Sequence, residues 1–462
     1  MPSTALQVVL QLLLATLIIF GTLTFLSSDA TAKRARPVKL TGTTPLEAQF
    51  FNDLRDKDMK RWTLSDAFFI ASGIRDEANL NRARAWMDQL VNEARGELAG
   101  LKKTEERADK LLHWIHHRAL STYRAESTDA LELIRNGKYN CLSSCLLYGM
   151  IGERLGLHIR GIAVEHHAFC RVYDQPLPKR ITSMKSRSGG WDVETTTEHG
   201  FNPGRQVQME RMVISVPRHQ YRNRREISLV EMIGLIYTNH IGLTRSYPST
   251  SDRLLAYQKA ALFFPRDPII QHNVIAAHTQ LINELVQQRK WASAAGYAQQ
   301  LEEVDSSDQY STSTWLMLID RHLENIASQG IKEILSQLDE YQQRAKKPPK
   351  SVWLYWRARM LGQAAGHELL RGREAEGLTR LKQVLSYLKQ AEQQRPRLER
   401  SRREKLETLR HNSLVPLKNV IITLMNSGKH AQASSLLNAT LRIFPRDGDL
   451  KTLQQSLARI SK

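Results

Sequence analysis

Asn140-Cys141-Leu142-Ser143-Ser144, His166-His167-Ala168-Phe169 and Trp191-Asp192-Val193-Glu194-Thr195-Thr196 are the stretches whose reading decides the fold of this chain. Before the first, Gly137-Lys138-Tyr139-Asn140 breaks a short helix expected over 126–136. An apolar run from Cys141 to about Leu155 then predicts a helix that Gly156 ends. Cys141 thus opens a helix, where unpaired amide hydrogens and the positive end of the dipole favour a thiolate and can hold an oxyanion. Residues 158–164 and 168–173 read as strands, and 191–196 as a third. A thiol nucleophile needs a base, and the base needs an orienting partner. Neighbouring strands lie about 4.8 Å apart, so His167 and Glu194 can hydrogen-bond if they face the same way.

On the residues alone, two rivals stay open. His166 and His167 point to opposite strand faces, so only one of them faces Cys141. Asp192 and Glu194 share a face, and periodicity does not separate them. Cys145, one helical turn after Cys141, reads as a core thiol. So does Cys170, and an exported protein would allow a disulfide between the two. A metal site built from Cys141, Cys145 and His167 has a poor ligand count. His113, His116 and His117 lack the Glu of a zinc-protease helix and read as packing and surface residues. Trp191 reads as a core residue that positions its strand. Tyr139 and Asn140 are the nearest side chains for an oxyanion, and neither is assigned that role.

Working outward, 462 residues imply two domains or more. Hydrophobic residues at 41% and charged residues at 24% suit a packed globular chain and exclude a mostly disordered one. Three cysteines are too few for a disulfide scaffold or a four-thiolate zinc ribbon. The net charge of +19 favours anionic surroundings: headgroups, acidic polymers or nucleic acid. No nucleic-acid motif stands in the sequence, and an export signal argues against that partner. Residues 5–26 are almost wholly apolar and carry no charged side chain, long enough to span a bilayer. Ala30-Thr31-Ala32 has the form of a signal-peptidase site before Lys33, so residues 1–32 read as a signal peptide or a membrane anchor. The expected location is periplasmic or extracellular, or membrane-anchored. Kept as an anchor, the segment with Lys33, Arg34, Arg36 and Lys39 behind it would favour a cytoplasmic body. Residues 33–60 read as a polar entry segment and 63–123 as helical, with Ser65-Asp66 as a cap.

Past Ile227 only helical periodicity remains. Phe263-Phe264-Pro265-Arg266-Asp267 and Ile443-Phe444-Pro445-Arg446-Asp447 repeat one another, each ending a helix at Pro. Gly428, Ala433 and Pro445 are spaced as in a tetratricopeptide repeat, with a fainter match at Lys290-Trp291 and Ala294. The stretch 394–410 is dense in Arg and reads as a solvated helix face, with an anionic binding face as the alternative.

The ordered motifs resemble the transglutaminase-like superfamily, a papain-related group of Cys-His-Asp enzymes. Cys141 opens a helix that Leu155-Gly156 ends, His167-Ala168-Phe169 matches the His strand, and Trp191 with Glu194-Thr195-Thr196 matches the acid strand. The resemblance covers roughly residues 100–205. It implies Cys141 as nucleophile, His167 as base and Glu194, in place of the usual Asp, as the orienting acid. It also implies an α+β fold: a papain/transglutaminase-like catalytic domain (100–205) with a helical segment (33–99) packed on it, then an all-α tetratricopeptide-like domain (227–462). The activity implied is thiol-dependent acyl transfer on peptide or protein amides, without a cofactor, the helical repeats binding protein. The alternative is a catalytically silent scaffold of the same fold. The Cys-Leu-Ser and Glu-Thr-Thr forms resemble a bacterial branch that carries such repeats.

Overall fold

The computed structural model describes residues 43–55, 61–164, 167–176, 190–203, 224–243, 247–265, 267–305, 308, 310–395 and 400–460. The apolar segment 5–26, the cleavage-site motif before Lys33 and His166 lie outside the described residues. Helices dominate and two small sheets accompany them, an α+β arrangement.

Where the sequence reads as a polar entry segment, the chain instead forms a helix, α1 (Pro45–Arg55). Its Leu46, Phe50 and Phe51 recur at helical spacing and are buried. Phe50 and Phe51 join Trp62, Tyr237 and Phe263 in an aromatic cluster with ring centroids 5.4–6.2 Å apart. The next helix, α2 (Leu64–Ala71), is capped by Thr63 rather than by Ser65-Asp66. The Thr63 hydroxyl accepts from the Asp66 amide, and the Asp66 carboxylate accepts from the Thr63 amide. Helices α3 (Glu77–Glu97) and α4 (Thr104–Arg118) follow.

A two-stranded parallel ribbon, β1 (Thr122–Tyr123) and β2 (Lys138–Tyr139), brackets α5 (Ala130–Asn136). That helix is shorter than expected and ends on Gly137 at φ 64, a left-handed cap glycine adopts without strain. Helix α6 (Cys141–Arg154) is buried from Cys141 through Gly152. One face touches the sheet so closely that a Cβ on Gly152 would lie 2.4 Å from Ile159 Cδ1.

The main sheet has strand order β5-β4-β3-β6, antiparallel throughout, from β3 (His158–Val164), β4 (His167–Tyr173), β5 (Trp191–Val193) and β6 (Arg225–Ile227). Ala168, Cys170 and Val172 of β4 join the core that surrounds α6. Phe169 sits apart with Ile162 and Val164. Strand β5 stops at Val193, three residues short of the expected 191–196, because the chain turns at Thr195-Thr196.

From Leu229 to Ile460 the described residues are helical: α7 (Leu229–Gly242), α8 (Thr250–Phe263), α9 (Pro268–Gln287), α10 (Trp291–Val304), α11 (Ser311–Asn325), α12 (Ile331–Arg344), α13 (Lys350–Leu370), α14 (Glu374–Gln394), α15 (Arg400–Asn426), α16 (His430–Ile443) and α17 (Gly448–Ile460). The two Pro-Arg-Asp segments do the same work twice. Asp267 accepts from the Ile269 and Ile270 amides, and Asp447 from the Leu450 amide, so the Asp after each helix stop caps the next helix. One hydrophobic core runs from Leu46 to Ile270 and a second from Leu254 to Leu457, meeting at α8. In the Arg-dense stretch, Arg395, Arg400 and Arg410 pair with Glu407, Glu404 and Glu392. Among the described residues no helix is long and apolar enough to cross a membrane.

Candidate functional site

Cys141 owes its position to Asn140. The Asn140 Oδ1 accepts from the Leu142 and Ser143 amides at 2.9 and 3.0 Å, and its Nδ2 donates to the Ala125 carbonyl at 2.8 Å. Ser143 returns the bond, accepting from the Asn140 amide at 2.9 Å and donating to the Ser127 carbonyl. With two of the first-turn amides satisfied this way, the Cys141 amide is left without a partner among the described residues. The Asn140 side chain is held at both ends, Oδ1 by the cap and one Nδ2 hydrogen by Ala125, and the residue is 1% exposed. The Tyr139 hydroxyl donates to the Thr196 carbonyl at 3.3 Å and is likewise engaged.

His167 and Glu194 meet in the interior: Nε2 lies 2.7 Å from Oε2, and each side chain is 1% exposed. The other carboxylate oxygen, Oε1, accepts from the Thr196 hydroxyl at 2.8 Å and from the Thr196 amide at 3.2 Å. The ring's remaining nitrogen, Nδ1, is buried and closes no hydrogen bond. The Cys141 thiol lies near enough to act on this ring. Burial disfavours the charged imidazole, but the Glu194 carboxylate and then Cys141 outweigh it, and the pKa is raised to about 10. The three residues that the sequence nominates therefore converge. The rival acid, Asp192, pairs with Arg171 at 2.6 Å, its cross-strand partner, and is taken out of contention.

The sequence reading missed the parts that hold the acid in place. Thr195 Oγ1 lies 2.8 Å from Ser144 Oγ and 3.1 Å from Cys145 Sγ, tying the acid loop to the first turn of α6. The Thr195 carbonyl meets His116 Nε2 at 3.1 Å. The Gly200 carbonyl accepts from the Glu194 amide at 2.8 Å, and a Cβ on Gly200 would stand 1.9 Å from the Glu194 backbone oxygen. The run of small polar residues after Cys141 and Glu194 was the available signal.

The three cysteines are free. Cys145 and Cys170 are fully buried in the core, whereas Cys141 is 8% exposed and stands outside that cluster. The disulfide that export would allow is not formed: Cys170 Sγ donates to the Cys145 carbonyl. Burial, then Cys170, pushes the Cys145 thiol well up. On α4, His113 stacks edge-on against His199, and His117 pairs with Glu198. Among the described residues no group of three or more His, Cys, Asp or Glu is arranged to hold a metal ion.

No family model, no curated protein and no solved structure matches the chain.

Proposed function

We propose that the chain is a transglutaminase-like, thiol-dependent acyl-transfer enzyme acting on peptide or protein amide bonds. The observation that carries this reading is the meeting of Cys141, at a helix start, with a buried His167–Glu194 pair. The Cys141 proton already rests on His167, in keeping with the raised pKa of the ring, and the sulfur attacks the carbonyl carbon as the thiolate. A C–S bond forms and the carbonyl π pair moves to oxygen. Collapse of this intermediate breaks the C–N bond, and the leaving amine takes the proton from His167. Glu194 holds the ring and offsets its charge. Water or a second amine then accepts the acyl group, giving a peptidase, an amidase or a transglutaminase. The reading calls for no cofactor. The papain-related domain spans 100–205, and the tetratricopeptide-like helices of 227–462 hold a protein substrate or partner. Residues 5–26 export the body or attach it to a membrane; nucleic acid is not the partner proposed.

The test is acylation of the full chain by p-nitrophenyl acetate, followed by intact mass and release of p-nitrophenolate. One acetyl group on Cys141 is expected, absent in Cys141→Ala and slowed by roughly 10²–10⁴-fold in His167→Ala. Equal acylation of all three proteins would overturn the proposal. One observation favours a second reading, a silent scaffold of this fold: Cys141 is only 8% exposed. A wild-type protein that is never acylated would select it.

A further inference from the structure

We infer that the Tyr123 hydroxyl is the side-chain donor of the oxyanion hole, acting beside the Cys141 amide on the carbonyl oxygen of the substrate. This rests on the acyl-transfer reading above and adds a catalytic residue to it.

The ribbon that leads into α6 carries the argument. Parallel pairing sets Tyr123 level with Tyr139, two residues before Cys141. The strand continues alongside the chain that delivers the sulfur: the Arg124 amide donates to the Tyr139 carbonyl at 2.8 Å, and the Ala125 carbonyl accepts from Asn140. The Tyr123 ring stands edge-on to the Tyr139 ring, centroids 5.8 Å apart, which fixes its direction. It is half-buried, and its hydroxyl has no hydrogen-bond partner among the described residues. A phenol ordered by packing and bonded to no described residue can donate to a bound substrate in exchange for water.

Its electrostatic surroundings agree. Burial first, then the charges of Cys141 and Glu194, lift its pKa well above the usual phenol value. The O–H therefore stays protonated at any pH at which the enzyme would work. Of the side chains nearer in sequence, the Tyr139 hydroxyl is already engaged, and Asn140 is 1% exposed and held by its cap and by Ala125. Among the described residues that lead into α6, the Cys141 amide and the Tyr123 hydroxyl are donors that close no hydrogen bond. Two convergent donors are what a developing oxyanion requires.

Two reactions of the same sulfur separate this role from a structural one. Alkylation of Cys141 by iodoacetamide displaces iodide at a saturated carbon and forms no oxyanion. Acylation by p-nitrophenyl acetate adds sulfur to a carbonyl, places charge on its oxygen and then expels p-nitrophenolate. Tyr123→Phe keeps the ring against Tyr139 and removes only the O–H. The expected result is an alkylation rate at Cys141 within about 2-fold of wild type and acylation slowed by roughly 10²–10³-fold. Wild-type acylation with an equally fast Tyr123→Phe would overturn the assignment and leave the acyl-transfer reading standing. Both reactions slowed alike would also overturn it, since Tyr123 would then act on the thiol and not on the oxyanion. A wild type that alkylates but never acylates would sink the acyl-transfer reading and this one together.

Discussion

Glu194 commits both carboxylate oxygens, one to His167 and one to Thr196, so Glu194→Gln keeps its shape and removes its charge. The expected result is a His167 pKa that falls from about 10 toward the ordinary imidazole range, read by ring-proton titration in NMR. The same raised value has a stability consequence. Between the unfolded pKa near 6.5 and the folded value near 10, the folded protein holds a proton that the unfolded chain releases. The stabilisation is complete below about pH 6.5 and is lost as pH rises through 10. The melting temperature of the wild type, measured relative to His167→Gln, should therefore decline from pH 7 to pH 10. A difference that grows over that window would contradict the assignment of the proton to His167.

At the level of elements, the site is three secondary-structure ends brought to one point: the start of α6, the start of β4 and the turn after β5. Small polar residues fix two of these ends: Asn140 the helix start, Thr195 and Thr196 the turn. Asn140→Ala should cost about 1–2 kcal/mol by loss of the cap, seen as a lower denaturant midpoint, and should slow acylation with it. Gly200→Ala forces a methyl into the Glu194 backbone, and a loss of about 1–3 kcal/mol with a displaced acid loop is expected. Much of this was legible in the sequence. The helix beginning at Cys141 and the strand from His158 to Val164 show in their apolar pattern and flanking glycines. His167 and Glu194 stood out because a thiol, an imidazole and a carboxylate came in order. The choice of Glu194 over Asp192 was not readable from alternation, since it depends on Arg171 across the sheet taking Asp192. Tyr123 was hidden for a similar reason: a two-residue strand leaves no periodic signature, and its pairing with Tyr139 exists only in the folded chain.

Across the whole molecule, the first helix was the least legible part. Its Phe50 and Phe51 sit in an otherwise charged stretch, and their partners Tyr237 and Phe263 lie some two hundred residues on. The same contact contains a shielded ion pair: Lys259 Nζ lies 2.8 Å from the Glu47 carboxylate, which also accepts from the Tyr237 hydroxyl. Lys259→Met alone should destabilise by about 3–5 kcal/mol, because it strands the Glu47 charge. Adding Glu47→Leu should recover most of that loss, and calorimetry of the single and double variants checks both. The seating of the three sulfurs carries a separate consequence. Cys145 and Cys170 are sealed within the core while Cys141 stands at its margin. An aromatic disulfide reagent should find a single reactive group in the native protein and three once the core has parted. The chain thus has a built-in gauge of its own unfolding, read as a stoichiometry and needing no attached label.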